Sequence, residues 1–446
     1  MLIRFRVRNF RSLKEEQELS LVASSLKEKP GAVTHVQALN LGLLRAAAIY
    51  GANASGKTNV VKALDYMSRA VGNSQRRWPP EGPIPREPFL LDQASKDDSS
   101  SFEVDVVVDG VRFRYGFTLN DREVLREWLD AYPRGKRQMW IRREAKTFTF
   151  GKNLIGDNRA VERLTRPNSL FLSAAAQNNH EPLAPLYRWF ADSLKYVPGE
   201  RHARWFLHWK TAEMCRDEGF SRSLQDVLRA ADLGVRGVDV HLVDAFSLPP
   251  GVGDSPIRAV FEKMMGQLRE LAAEAKEEDQ TGAAPWDKRA VLAFIHKGSA
   301  QAGVALGEDD ESEGTLAFFG LLGPVLCAIR SGGAVAVDEL DASMHPLLAL
   351  ELVHLFNDPK RNPQGAQIIF TTHDTNILGR ASLRRDQIWF TEKDAEGATH
   401  LYPLTDFKPR KNENLERGYL QGRYGAVPFI GSTDFLGDIH QEKAER

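Results

Sequence analysis

Residues 44–58 read Leu44-Arg45-Ala46-Ala47-Ala48-Ile49-Tyr50-Gly51-Ala52-Asn53-Ala54-Ser55-Gly56-Lys57-Thr58. A short run, fully apolar after Arg45, suits a buried strand. It enters a glycine-spaced turn. Residues 59–70 then carry Val60, Val61, Leu64 and Met67 as one stripe at helical spacing. Residues 51–58 match Gly-x-x-x-x-Gly-Lys-Thr without departure. The glycines let backbone N–H groups wrap phosphate groups, and the helix that follows points its N-terminus at the anion. Gly51, Ala52, Asn53, Ala54, Ser55, Gly56, Lys57, Thr58 and Asn59 are therefore the expected ATP cradle. Lys57 is expected to reach the β- and γ-phosphates, and the Thr58 hydroxyl to ligate Mg²⁺.

Further along, Ala334-Val335-Ala336-Val337 reads as a buried strand that ends in Asp338-Glu339. A strand-end acidic turn is common alone. Beside a phosphate loop it suits a metal-holding aspartate, Asp338, and a glutamate, Glu339, that activates the attacking water. Strand 367–371 ends in Thr371-Thr372-His373, which makes His373 a candidate for the γ-phosphate. Glu311-Ser312-Glu313-Gly314-Thr315 precedes an apolar helix at 316–330. Serine and glycine at a helix start form an anion-binding end, or an ordinary cap.

The order of these motifs resembles the ABC ATPases, and among them the heads of SMC, RecF and OLD type. Val7-Arg8-Asn9-Phe10-Arg11-Ser12 looks like the first strand of those heads, where the basic residue at the place of Arg11 lies near the nucleotide. Residues 311–315 resemble the ABC signature. Ser312 and Gly314 match its two positions that meet the γ-phosphate of the partner subunit. Glu311, Glu313 and Thr315 depart from the usual Leu, Gly and Gln. Leu340-Asp341-Ala342-Ser343 sits where the D-loop belongs, and Gln93 is a candidate for the Q-loop. Residues 338–346, 371–375 and 419–429 look like a group of small stand-alone bacterial ATPases, the RloA and AbiL-type abortive-infection ATPases and, more distantly, the ATPase of the PARIS system. The resemblance implies anti-phage defence with a separate nuclease or toxin as effector. Residues 374–446 are too few for the TOPRIM nuclease domain of OLD proteins, so this chain is expected to cut nothing itself.

The 446 residues are 42% hydrophobic and 27% charged, enough for a large core without a metal or disulfide staple. A net charge of −1 excludes a globally basic coat but not a local basic groove. Two cysteines cannot build a disulfide framework, which fits a reducing cytoplasm. The apolar run at 316–329 holds Pro324 and falls short of the about 20 residues of a spanning helix, so no membrane association is expected.

Residues 3–8 alternate Ile3, Phe5 and Val7 with Arg4, Arg6 and Arg8, a half-buried strand. Segments 17–23, 102–108, 111–119 and 138–142 read as further strands, with a hairpin turn at Asp109-Gly110. Residues 76–88 are Pro-rich and read as a loop or lid, and 96–101 as a polar turn. Helical patterns dominate from 151 to 305, for example 178–193, 221–231 and 256–276. The fold class expected is α/β: an ABC-type P-loop head with an N-terminal antiparallel β subdomain and a mainly helical insert. Its parts are residues 1–150 (first half of the head), 151–305 (insert), 306–405 (second half) and 406–446 (tail).

Two ATP molecules are expected between two heads, making a homodimer or higher oligomer. An alternative stays open: a RecF-like repair or chromosome-maintenance ATPase that binds DNA. Arg134, Lys136, Arg137, Arg142, Arg143 and Lys146 cluster around Trp140, with a smaller group at Lys408, Arg410 and Lys411. Such faces suit a phosphate backbone. Solvated charge runs read the same way, so nucleic-acid contact stays open.

Overall fold

The structure, a computed structural model, describes residues 1–231, 233–244, 288–297, 303–379, 383–411 and 413–427. The helix expected at 256–276 lies outside them, as do Pro428 and Phe429 of the tail motif. The chain divides into two compact units. The first comprises Met1–Tyr196, Ala328–Asp341 and Ala349–Arg446, the second Val197–Cys327 and Ala342–Leu348.

Strands β1 (Leu2–Arg8), β2 (Gln17–Ser20), β3 (Val33–Val36), β4 (Leu41–Leu44) and β5 (Ala46–Gly51) precede helix α1 (Lys57–Asn73). After it come β6 (Ser100–Val108), β7 (Val111–Leu119), β8 (Val124–Tyr132), β9 (Gln138–Glu144), β10 (Thr147–Phe150) and β11 (Leu194–Val197). Strands β12 (Val235–Asp244), β13 (Lys288–His296) and β14 (Val304–Gly307) belong to the second unit. The first unit resumes with β15 (Ala334–Val337), β16 (Gln367–Thr371), β17 (Ile388–Lys393) and β18 (Thr399–Pro403).

Two sheets carry the first unit. One is antiparallel, in the order β10-β9-β8-β7-β6-β1-β2. The other runs β11-β15-β16-β5-β17-β18, with β15, β16, β5 and β17 mutually parallel and β18 antiparallel at the edge. Strand β5 lies inside the parallel sheet, with Ala48 opposite Phe370 on one side and Ile388 on the other. All its residues are buried, which explains its unbroken apolar run. The α/β expectation holds.

Helix α1 packs against β5, β15 and β16. It also reaches the antiparallel sheet, where Tyr66 stacks on Phe102 with ring centroids 4.9 Å apart and Phe10 lies 5.4 Å away. Phe102 is fully buried, and cutting such a side chain to alanine costs about 3–5 kcal/mol. Gln367 on β16 ties the sheets together: its Oε1 accepts from Leu2 N (2.5 Å), and its Nε2 donates to Leu2 O and Leu44 O (both 2.9 Å). The helix that follows the phosphate loop thus packs against both sheets.

The Asp109-Gly110 turn forms as expected, with φ of +49° and +76°, the two positive angles of a type I′ hairpin. The polar stretch 96–101 instead joins a short helix, Gln93–Asp97, to the start of β6. Strand β8 escaped the sequence reading because it carries Arg126, Glu127 and Asp130 among apolar residues. Glu127 and Asp130 are both buried; Arg143 pairs with Glu127, and Arg137 and Arg142 pair with Asp130. A charge so paired can occupy a core position.

The segment read as a mainly helical insert also contains a sheet. In the second unit β12, β13 and β14 pair antiparallel, beside helices Arg201–Met214 and Glu218–Ala230. The compact units also divide the chain differently from a boundary at 305: residues up to Cys327 group with the second unit. Close packing explains this. In helix Glu313–Ser331, Phe319 meets Phe294 of β13 at 5.6 Å, and Thr211 Oγ1 donates to Gly320 O at 3.0 Å. A Cβ on Gly323 would lie 2.1 Å from Thr211 Oγ1. By length and composition alone this helix, at 19 residues longer than the apolar run read from the sequence, could cross a membrane. In the protein 61% of its apolar window is buried, as in a core helix.

Candidate nucleotide site

Strand β5 ends at Gly51 and α1 begins at Lys57, so residues 52–56 must reverse the chain tightly. Ala54 and Gly56 take φ of +62° and +104° to do so. At Gly56 a side chain is also excluded, because its Cβ would fall 2.1 Å from Thr399 Oγ1. At Gly51 it would fall 2.4 Å from Ser55 Oγ and 2.5 Å from Thr391 Oγ1.

A relay of hydroxyls fixes the loop from behind. Asn59 Nδ2 donates to Ser12 Oγ at 2.6 Å. Ser12 Oγ lies 2.7 Å from Thr399 Oγ1, which itself donates to Ser55 O at 2.9 Å. The single proton of Thr399 is thereby used, so Ser12 is the donor in their bond. Ser55 Oγ meets Thr391 Oγ1 at 2.7 Å, both buried on the floor of the loop. Sequence reasoning gave Ser12, Thr391 and Thr399 no role. Thr391 and Thr399 lie far from the loop in sequence and carry no local pattern, and Ser12 entered only as the last residue of the 7–12 segment.

Lys57 is 6% exposed, and its Nζ donates to Gly51 O (2.9 Å) and Ala52 O (3.0 Å). Burial lowers its pKa to about 8, opposed by the nearby charges of Asp338, Glu339 and Asp341. The hydroxyl of Thr58 donates to Asp338 Oδ1 at 3.0 Å, and that of Thr371 donates to the same oxygen at 2.7 Å. Glu339 takes φ of +51°, and its N–H donates to Thr371 Oγ1 at 2.7 Å. His373 N reaches both carboxylate oxygens of Asp341 at 3.4 Å, the long end of the range. The exposed His373 ring is held below its ordinary pKa by partial loss of solvent and then by Lys57, against Asp341, Glu339 and Asp338. Lys57, Thr58, Asp338, Glu339, Asp341 and His373 are thus one neighbourhood assembled by β5, β15 and β16. Asn53 and Ala54 are exposed at the tip of the loop.

Ser312 and Gly314 belong to the second unit. Ser312 Oγ accepts from Thr315 N at 3.1 Å and meets Thr315 Oγ1 at 2.9 Å, so it caps the helix Glu313–Ser331. A Cβ on Gly314 would stand 2.7 Å from Ser343 O. Glu311 pairs with His296 of β13.

Arg11, with φ of +50°, pairs with Glu87 at 2.5 Å. Gln93 is exposed and donates to Asp97 Oδ2 at 3.1 Å. The cluster around Trp140 is less basic than its sequence. Arg143 is buried, donating to Ser169 O (2.6 Å) and Pro167 O (3.0 Å) beside Glu127. Arg142 and Arg137 both pair with Asp130. Arg134, Lys136 and Lys146 are exposed, as are Lys408, Arg410 and Lys411.

A glycine-spaced phosphate loop between a central parallel strand and a helix, facing a strand-end aspartate, defines a P-loop ATPase of mixed α/β fold. The chain belongs to the family described as "AAA domain, putative AbiEii toxin, Type IV TA system", whose model matches residues 46–379. None of the curated proteins compared with it matches. Among solved structures it is similar to the SMC head domain from Thermotoga maritima (12% identity, 90% of this chain and 98% of that one, TM-score 0.40). It is also similar to an SMC head bound to the C-winged helix domain of ScpA (11%, 90% and 96%, TM-score 0.42). A third is the recombination mediator protein RecF with ATP (13%, 90% and 97%, TM-score 0.38).

Proposed function

We propose that the chain is an ABC-type ATPase of the SMC/RecF class that hydrolyses Mg-ATP between two of its own copies. The observation that carries this reading is the meeting of Thr58, Asp338 and Thr371 on one oxygen, beside the Lys57 ammonium. A hydroxyl and a carboxylate oxygen 3.0 Å apart are the hard donors Mg²⁺ takes, few in number with water completing the shell. The residues fit the ion: Thr58 and Asp338 would hold it. Bound there, it would neutralise charge on the β- and γ-phosphate oxygens.

The chain's own groups do the rest. Backbone N–H groups of 52–58 and Lys57 hold the phosphates, and Glu339 accepts a proton from the attacking water. The water oxygen bonds to the γ-phosphorus, the bond to the β–γ bridging oxygen breaks, and its electron pair leaves on ADP. His373 senses the γ-phosphate. Ser312 and Gly314 of the second copy close the site, with Asp341 at the junction. ATP then acts as a reversible clamp, and hydrolysis releases it.

The clamp would regulate a separate effector, a nuclease or toxin, in anti-phage defence in the cytoplasm. The family description, with its toxin and toxin–antitoxin system, supports this setting. The test is to recover the Glu339→Gln variant from its native host with ATP present. It should bind ATP, turn over at least about a hundredfold more slowly than the parent, and bring a nuclease or toxin with it. Equal turnover in the two proteins sinks the role of Glu339. Recovery of DNA with recombination proteins replaces defence by the repair reading.

A further inference from the structure

Residues 372–379 leave the end of β16 carrying His373 and run into the short helix Asn376–Gly379. This segment is held from two directions. Tyr50, the residue before Gly51, donates its hydroxyl to Asp374 O at 3.3 Å. From the other direction, Thr375 Oγ1 donates to Glu416 Oε1 at 3.0 Å. Glu416 belongs to the helix Leu415–Leu420 in the C-terminal part of the chain. A Cβ on Gly379 would fall 2.1 Å from Glu416 Oε2, so the bare glycine is what lets Glu416 lie against the segment.

The helix that carries Glu416 is anchored elsewhere. Tyr419 stacks on Phe390 of β17 (5.5 Å, 16° between planes) and meets Tyr50 edge-on at 5.8 Å. Its hydroxyl donates to Ala426 O at 3.1 Å. Tyr424 donates to Glu413 Oε1 at 2.6 Å, and Tyr402 of β18 donates to Tyr424 O at 3.1 Å. The tail is therefore fastened to the parallel sheet independently of 372–379, and from that base it presents one carboxylate to the residue two positions after His373. A hydroxyl bonded to a carboxylate is a stronger tether than one between neutral groups.

We propose that Glu416 is a positioning residue for the ATPase reaction: through Thr375 it sets where His373 stands against the phosphate loop. This rests on the reading of His373 given above. Glu416 touches no reacting atom, so its effect belongs in kcat and must pass through His373.

The experiment compares steady-state ATP turnover of the full chain and its variants. Glu416→Ala should lower kcat about tenfold with the KM for ATP unchanged. Gly379→Ala keeps Glu416 but displaces it, and should lower kcat similarly. Glu416→Gln retains an acceptor oxygen for Thr375 and should recover most of the loss. In a His373→Ala background, Glu416→Ala should add nothing. An equal further loss in that background overturns the proposal, as does unchanged kcat in Glu416→Ala. Full turnover in His373→Ala alone removes the role of His373 and this proposal with it. That failure is read from the single variant, before Glu416 is touched.

Discussion

Thr58 and Asp338 stand 280 residues apart in the chain and share a 3.0 Å hydrogen bond between hydroxyl and carboxylate. Each position is set by its own element, but their meeting is not. Thr58 is fixed by the entry of α1, and Asp338 by the exit of β15. Parallel pairing of β15 with β16, and of β16 with β5, makes the two ends coincide. In the proposed mechanism this bond gives way to a shared ion.

Thr58→Val therefore removes one donor oxygen while keeping the shape. Nucleotide binding without added metal should be nearly unchanged. Mg²⁺-dependent turnover should fall by at least about a hundredfold. Phosphate release measured across a Mg²⁺ series checks this, and a full-rate plateau at high Mg²⁺ would mean that the hydroxyl is dispensable.

Lys57 gives the site a pH dependence. Its pKa is about 8 in the folded chain, against an ordinary 10.5. Bound phosphate would raise it again, so above pH 8 binding takes up a proton. Affinity then falls as pH rises, by at most tenfold per unit. For folding the sign is opposite: the unfolded chain holds the extra proton between about 8 and 10.5, so this group's contribution to stability grows across that window. Calorimetric titration of an ATP analogue in buffers of different ionisation enthalpy reads the uptake. Lys57→Met should abolish it.

If, as proposed, Ser312 of a second copy completes each site, complementation follows. Lys57→Ala and Ser312→Arg chains should each be inactive alone. Mixed one to one, their heterodimers contain one intact site, and turnover should recover to about a quarter of the parent value. Activity that stays at zero after verified subunit exchange excludes a site shared in this way.

Gly56 takes a positive φ and has Thr399 Oγ1 where a side chain would go. Gly56→Ala should cost about 1–3 kcal/mol of stability, visible in denaturant melts, and should weaken ATP binding further by breaking the relay to Ser12. Thr399→Ala opens the space but removes the bond to Ser55 O. Combined with Gly56→Ala, it should recover part of the stability and little of the binding.

What the sequence determined by itself is whatever a local rule enforces. The Gly-Lys-Thr turn, the apolar β5, the stripe of α1, the Asp109-Gly110 hairpin and the acidic end of β15 are short-range consequences of steric freedom and periodicity. Each could be read from a few neighbouring residues. Tertiary structure decided what depends on partners far along the chain. Ser12 and Thr399 brace the loop across 387 residues. The buried charges of β8 are tolerable because distant partners meet them: arginines for Asp130, and for Glu127 the Tyr115 hydroxyl, the Phe171 and Leu172 N–H groups and Arg143. Arg143, which reads as part of a basic face, is in fact a core residue. Glu416 reaches the His373 segment only because Gly379 has no side chain. A hydrogen bond or ion pair leaves no periodic trace in sequence. Its worth depends on the burial and the partner that folding supplies.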